Sequence, residues 1–146
     1  MNDYMQLAIA AAKDGITKGD GGPFGCVITQ AGQVIAVAHN EVIKNNDCTC
    51  HGEMQAIRKA CKKLKTFDLS GCYLYTTAAP CPMCKGAIQW ARIDKVFYGC
   101  DVEDTEGIGF DDLKFFETDV NMHQIDYQDC LDLFEEYTNI KEKTKY

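Results

Sequence analysis

Apolar residues Tyr4, Leu7, Ala8, Ala11 and Ala12 recur at helical spacing and predict a first helix over residues 3–18. The run Gly19-Asp20-Gly21-Gly22 breaks it. "FGCVITQAGQVIAVAHN" then holds two β-rich runs around Gln30-Ala31-Gly32-Gln33, which predicts a hairpin with strands near 24–29 and 34–39. After the polar stretch "EVIKNNDCTC", Met54, Ile57, Ala60, Cys61 and Leu64 restore the helical period, so His51 to Leu64 reads as a second helix. "CYLYTT" (72–77) is a strand, Pro82 to Ala91 a third helix with Met83, Ala87 and Trp90 on one face, and "KVFYGC" (95–100) a further strand. Beyond Cys100, "DDLKFF" reads as a short helix, "MHQIDY" as a short strand, and Asp129 to Lys141 as a terminal helix.

Strands joined through helices pair in parallel by right-handed crossovers. The expected fold is therefore α/β, a mixed five-stranded sheet with helices on both faces in three α/β/α layers. A chain of 146 residues favours one domain and can bury a core without disulfides or a metal staple. Its 46% hydrophobic and 25% charged residues are ordinary for such a domain. No apolar run reaches the ~18 residues of a membrane span. "MNDYMQLAIAAAKDG" lacks the basic start and cleavable apolar run of a secretion signal, so a cytoplasmic protein with no membrane partner is expected. Net charge is −7, which disfavours a nucleic-acid partner. The basic stretches "RKACKKLK" (58–65) and "KEKTKY" do not change this, since the first alternates with apolar residues as a solvated helix face does.

The nine cysteines are odd in number and mostly scattered. Cys26, Cys61, Cys72 and Cys100 read as small buried hydrophobes. Cys81 and Cys84 differ, because their Cys-x-x-Cys spacing opens a helix just after a strand. His51 and Glu53 open another helix after another strand. Adjacent parallel strands would carry both helix N-termini to one sheet edge, where ligand clefts form. His51, Cys81 and Cys84 can then converge on one ion. One imidazole and two thiolates suit zinc rather than magnesium or calcium, and three ligands leave a fourth position for water. Two other readings stand beside this catalytic zinc: a redox pair, and a closed structural knot completed by Cys50 or Cys48. The redox reading lacks a role for His51. Cys50 adjoins His51, which makes joint ligation awkward.

His51-Gly52-Glu53 followed by Pro80-Cys81-Pro82-Met83-Cys84 resembles the signature of the cytidine deaminase superfamily. "GGPFGCVI", Asn40, "NND", "AIRKAC", "AIQWARIDKVFYG" and "GFDD" are similar in particular to the bacterial guanine deaminase group. The resemblance runs from the first helix to at least Asp112. It implies a zinc-dependent hydrolase of a free nucleobase, guanine before cytosine or another small aminated ring. Glu53 is then the proton shuttle. Substrate contacts fall to Asn40, the Gly52 amide, Phe24, Trp90 and Asp112, with Asp111 as the second choice for the last. The resemblance further implies a homodimer. There the C-terminal segment (about 127–146) is exchanged as a lid and Tyr146 approaches the neighbour's pocket. Two residues depart from the family pattern. Gly52 stands where alanine is usual between the His and the Glu. Ala79 stands where glutamate is usual before Pro80. These departures motivate a reading from another class, a catalytically weak zinc scaffold, against which the retained Glu53 argues. His39 and His123 are expected to be packing or surface residues.

Overall fold

The structure is a computed structural model that describes residues 2–142. The first helix, α1 (Asp3–Lys18), begins where Asn2 caps it, its side-chain oxygen accepting from the Tyr4 and Met5 amides, and ends at Gly19 in the left-handed region. Strands β1 (Gly25–Gln30) and β2 (Gln33–His39) form the expected hairpin. Ala31 and Gly32 turn it, both with positive φ, which matches the right-handed twist of the strands. A short helix α2 (Val42–Asn45) precedes α3 (Gly52–Leu64). Then follow β3 (Cys72–Ala78), α4 (Pro82–Trp90), β4 (Lys95–Cys100) and α5 (Val102–Gly107), a 3-10 turn (Asp112–Phe116), and α6 (Tyr127–Thr138).

The strand order is β2-β1-β3-β4. β1 is antiparallel to both β2 and β3, while β3 and β4 are parallel, so the sheet is mixed. Alternation along the strands sorts the side chains between two helical layers. Cys26, Ile28, Cys72 and Leu74 face the α3 and α4 side with Ala56, Ala60 and Ile88. Val27 and Tyr75 face the α1 side with Ala8. On that side α1 lies so close that a Cβ on Gly25 would run into the Ala8 carbonyl oxygen. The three-layer α/β/α expectation is met.

Three details differ from the sequence reading. β2 and β3 are not neighbours, since β1 lies between them. Both run antiparallel to β1 and so point the same way, and their C-terminal ends still share one sheet edge. Among the described residues the sheet has four strands, and "MHQIDY" is not a fifth. Its alternation is suitable, but a strand also needs a partner ladder, and Asp126 breaks extension with a φ of 50°. The helix α5 was not expected. Its signal is local, a capping box in which the Asp101 side chain accepts from the Asp104 amide and the Asp104 side chain accepts from the Asp101 amide.

The chain divides into two compact units, the first ending at Phe115 and the second beginning at Phe116. The second holds α6 and a run without regular structure before it, in which Val120, Met122 and Ile125 are exposed. Among the described residues no helix is long and apolar enough to cross a membrane.

Candidate metal centre and active site

The loops leaving β2 and β3 place two helix N-termini at one sheet edge. His51 is the N-cap of α3, and Cys81 is the N-cap of α4 with Pro82 behind it. Proline suits that first helical position because the N–H it lacks has no intrahelical partner there. Cys84 follows in the first turn of α4 and is fully buried. His51 Nδ1 lies 3.6 Å from Cys81 Sγ and 3.6 Å from Cys84 Sγ. The three donor atoms all lie within 4.8 Å of one another. Tetrahedral coordination with Zn–N near ~2.05 Å and Zn–S near ~2.3 Å places N and S donors about 3.6 Å apart. The triangle of donors thus fits zinc in both chemistry and spacing. Cys50 and Cys48 are not part of this cluster, which weakens the closed-knot reading. The Cys50 sulfur instead accepts from Asn45 and Arg58.

Their surroundings move the two thiols in opposite directions. Hydrogen bonding from Cys84 lowers Cys81 to about 4 against the pull of burial, with His51 adding to the lowering. Cys84 is raised by the same bond, then by burial and by the Glu53 charge. Cys81 is therefore the readier thiolate. His51 is raised first by its hydrogen bond to Cys81, while burial opposes it.

Glu53 sits one residue into α3 and is only 6% exposed. Its Oε1 accepts from Thr76 Oγ1 at 2.6 Å, and its Oε2 lies 3.3 Å from Cys84 Sγ. A carboxylate thus stands directly beside the three-donor triangle. Cys26, beneath it on β1, has its thiol pushed up by burial and then by the Glu53 charge.

Asn40 is buried at the end of β2. Its Oδ1 accepts from the Val42 amide at 3.0 Å, so its Nδ2 is the side free to donate elsewhere. Its backbone amide donates to the Phe24 carbonyl at 2.9 Å. A Cβ on Gly21 would overlap the Asn40 side-chain oxygen, so glycine there admits the amide. The Asp20–His39 pair, 2.8 Å between Oδ2 and Nε2, ties the same loop to the end of β2. His39 is a packing residue, as expected, and its ring lies against Gly15. A Cβ on Gly52 would come 3.2 Å from the Phe24 carbonyl oxygen, tight but within reach of a small shift. Phe24 meets Phe110 edge-to-face with 5.0 Å between ring centres.

The structure therefore gathers His51, Glu53, Cys81, Cys84, Asn40, Gly52 and Phe24 at one edge. Asp112 begins the 3-10 turn half-buried, and its charge is felt at His51. Asp111 is engaged by Lys114 at 2.6 Å, which leaves Asp112 the better placed of the two. Trp90 is not brought to the triangle within this chain. It ends α4, about 9 Å along the axis from Cys84. It is 70% exposed and lines a groove with Gly86, Gln89 and Arg92. Tyr146 lies outside the described residues. Thr76 and Phe110 went unnoticed in the sequence. For Thr76 there was a signal, a hydroxyl at a position that alternation from Cys72 and Leu74 assigns to the interior.

Residues 1–100 match the family model described as the cytidine and deoxycytidylate deaminase zinc-binding region. The chain belongs to the cytidine and deoxycytidylate deaminase family. Among its relatives it is 40% identical over 151 residues to the guanine deaminase of Bacillus subtilis (strain 168), covering 98% of this chain and 97% of that one. It is 34% identical over 140 residues to the cytosine deaminase of Candida albicans, covering 95% and 88%. The crystal structure of the Bacillus subtilis guanine deaminase superposes with a TM-score of 0.93, covering 100% of this chain and 99% of that chain at 40% identity. These matches place the gathered residues in the zinc-binding part of a deaminase fold, and the His51–Cys81–Cys84 cluster lies inside the matched region.

Proposed function

We propose that the protein is a zinc-dependent aminohydrolase that converts guanine and water to xanthine and ammonia. The observation that carries this reading is the buried Glu53 carboxylate set against a three-donor His–Cys–Cys triangle with no fourth protein donor among the described residues. His51, Cys81 and Cys84 would hold zinc, which would supply the acidity that makes a water nucleophilic near neutral pH. Glu53 takes the proton of the attacking water and passes it to the ring nitrogen beside the attacked carbon. The C–O bond forms in this attack; Glu53 then carries the remaining proton of the added hydroxyl to the amine, which leaves as ammonia as the carbonyl forms and the C–N bond breaks. Asn40, its oxygen engaged by Val42, offers Nδ2 to an acceptor on the base. Asp112 accepts from a ring donor, which guanine presents. Phe24, backed by Phe110, packs on the ring, and the Gly52 amide donates to it.

The test is ammonia release from a panel of free bases and nucleosides by the zinc-loaded protein. Guanine should have the highest kcat/KM, at least about tenfold above cytosine, the scale of one well-made hydrogen bond. The likeness to the Candida albicans cytosine deaminase favours cytosine as the second reading. Equal or greater turnover of cytosine would establish it in place of guanine. No turnover of any base would leave a zinc-binding scaffold.

The proposal extends to a homodimer in which residues 127–146 form the lid and Tyr146 of the partner subunit reaches the pocket. Support comes from the apolar side chains that the second unit leaves exposed, among them Val120, Met122, Ile125 and Phe134. Hydrolysis of a small bound base also needs water excluded around it. Deleting residues 140–146 should cut turnover by about tenfold or more, a loss of ~1.4 kcal/mol in the barrier, with zinc content and circular dichroism unchanged. Full activity of the shortened chain would remove the lid while leaving the dimer standing.

A further inference from the structure

Thr76 is 1% exposed and sits on β3, which is laddered on both sides. It pairs with Cys26 of β1 and with Tyr98 of β4, so its backbone has little freedom. Its hydroxyl has two acceptors in reach, Glu53 Oε1 at 2.6 Å and the Ala78 carbonyl at 3.2 Å. One hydroxyl proton serves one of them. The shorter distance marks the stronger hydrogen bond. Glu53 therefore receives the proton, and Ala78 is at most a secondary acceptor.

The second side-chain donor to Glu53 is the Cys84 thiol, at Oε2. Among the described residues Thr76 is the hydroxyl that donates to Glu53, at 2.6 Å against 3.3 Å from the Cys84 sulfur. It holds Oε1 at a fixed place in the sheet, and this turns Oε2 toward the zinc side. A buried carboxylate without that bond would swing among rotamers at the point where proton transfer demands one position. We propose that Thr76 is a positioning residue that selects Oε2 of Glu53 as the working oxygen. The proposal rests on the deaminase reading of the site.

Thr76→Val keeps the shape of the side chain and removes the hydroxyl. Its kcat on guanine should fall about 10- to 100-fold, the cost of misplacing a reacting group by an ångström or less. KM should stay within about twofold and zinc content should not change, because Thr76 touches neither the base nor the donors in this scheme. Thr76→Ser keeps the hydroxyl and should recover kcat to within about threefold of the parent. A Thr76→Val protein with parental kcat, or a Thr76→Ser protein as slow as Thr76→Val, overturns the proposal.

A second measurement does not depend on turnover. Unfolding midpoints of Thr76→Val, Glu53→Ala and the double variant, all zinc-loaded, should be non-additive by about 3 °C or more. Additive midpoints overturn the Thr76–Glu53 coupling even if no base is turned over. Absence of turnover in the parent protein refutes only the deaminase reading, so the two failures are read separately.

Discussion

Glu53→Gln retains about one zinc ion per chain and loses roughly 10³-fold or more in kcat, the upper part of the range for general acid–base catalysis. Glutamine has nearly the same shape as glutamate and still presents an oxygen to Thr76 Oγ1, where the bond is 2.6 Å. Its amide group can face the Cys84 sulfur, which lies 3.3 Å from Oε2 in the parent. Packing and donor geometry are thereby kept. What disappears is a group able to accept a proton and return it. Metal analysis paired with steady-state kinetics separates the two effects. A variant with normal turnover would eliminate Glu53 as the shuttle. One that also lost zinc would make Glu53 a ligand and return the site to a closed structural knot.

The elements of the first hundred residues, the short α2 apart, were readable because their periods are clean. Val27 and Ile28 on β1, like Leu74 and Tyr75 on β3, face opposite layers, as period-2 alternation requires. Strand neighbours were less readable. Hydrophobic pattern marks where strands occur but not which strand lies between two others, so β1 between β2 and β3 was a surprise. The functional inference survived it, because convergence needs a shared direction of β2 and β3 rather than adjacency. His51, Cys81 and Cys84 were legible because ligand chemistry and helix-start position coincide in each. Thr76 was not, because threonine in a strand is explained sufficiently by β propensity. Only the partner that it meets from α3, 23 residues away along the chain but 2.6 Å in space, gives its hydroxyl a task. The alternation in "MHQIDY" was a true local pattern that became no strand, since a ladder depends on a neighbour that local sequence does not specify.

Cys84→Ala should bring zinc from about one ion per chain to less than ~0.1 at micromolar zinc, and abolish turnover. Structural zinc sites hold their ion with roughly 10–16 kcal/mol, and removing one of three protein donors forfeits a large share of that. Cys84 is fully buried, so no surface group can swing in to replace its sulfur. His51 Nδ1 would keep one sulfur neighbour at 3.6 Å, that of Cys81, and two donors do not define a tetrahedral site. Burial also means that the variant leaves a small cavity, and a general loosening of the core could itself release metal. Cys72→Ala controls for this. Cys72 is equally buried but has no place in the donor triangle, so its variant should keep full zinc despite a similar cavity. Cys50→Ala controls for the four-ligand alternative and should also keep zinc, because its sulfur is held by Asn45 and Arg58 away from the triangle. The three variants together are decisive. Zinc lost from Cys84→Ala alone supports the triangle. Zinc lost from Cys50→Ala as well would make Cys50 a fourth ligand and the centre structural. Zinc kept in Cys84→Ala, with turnover intact, would remove the metal centre from its assigned place.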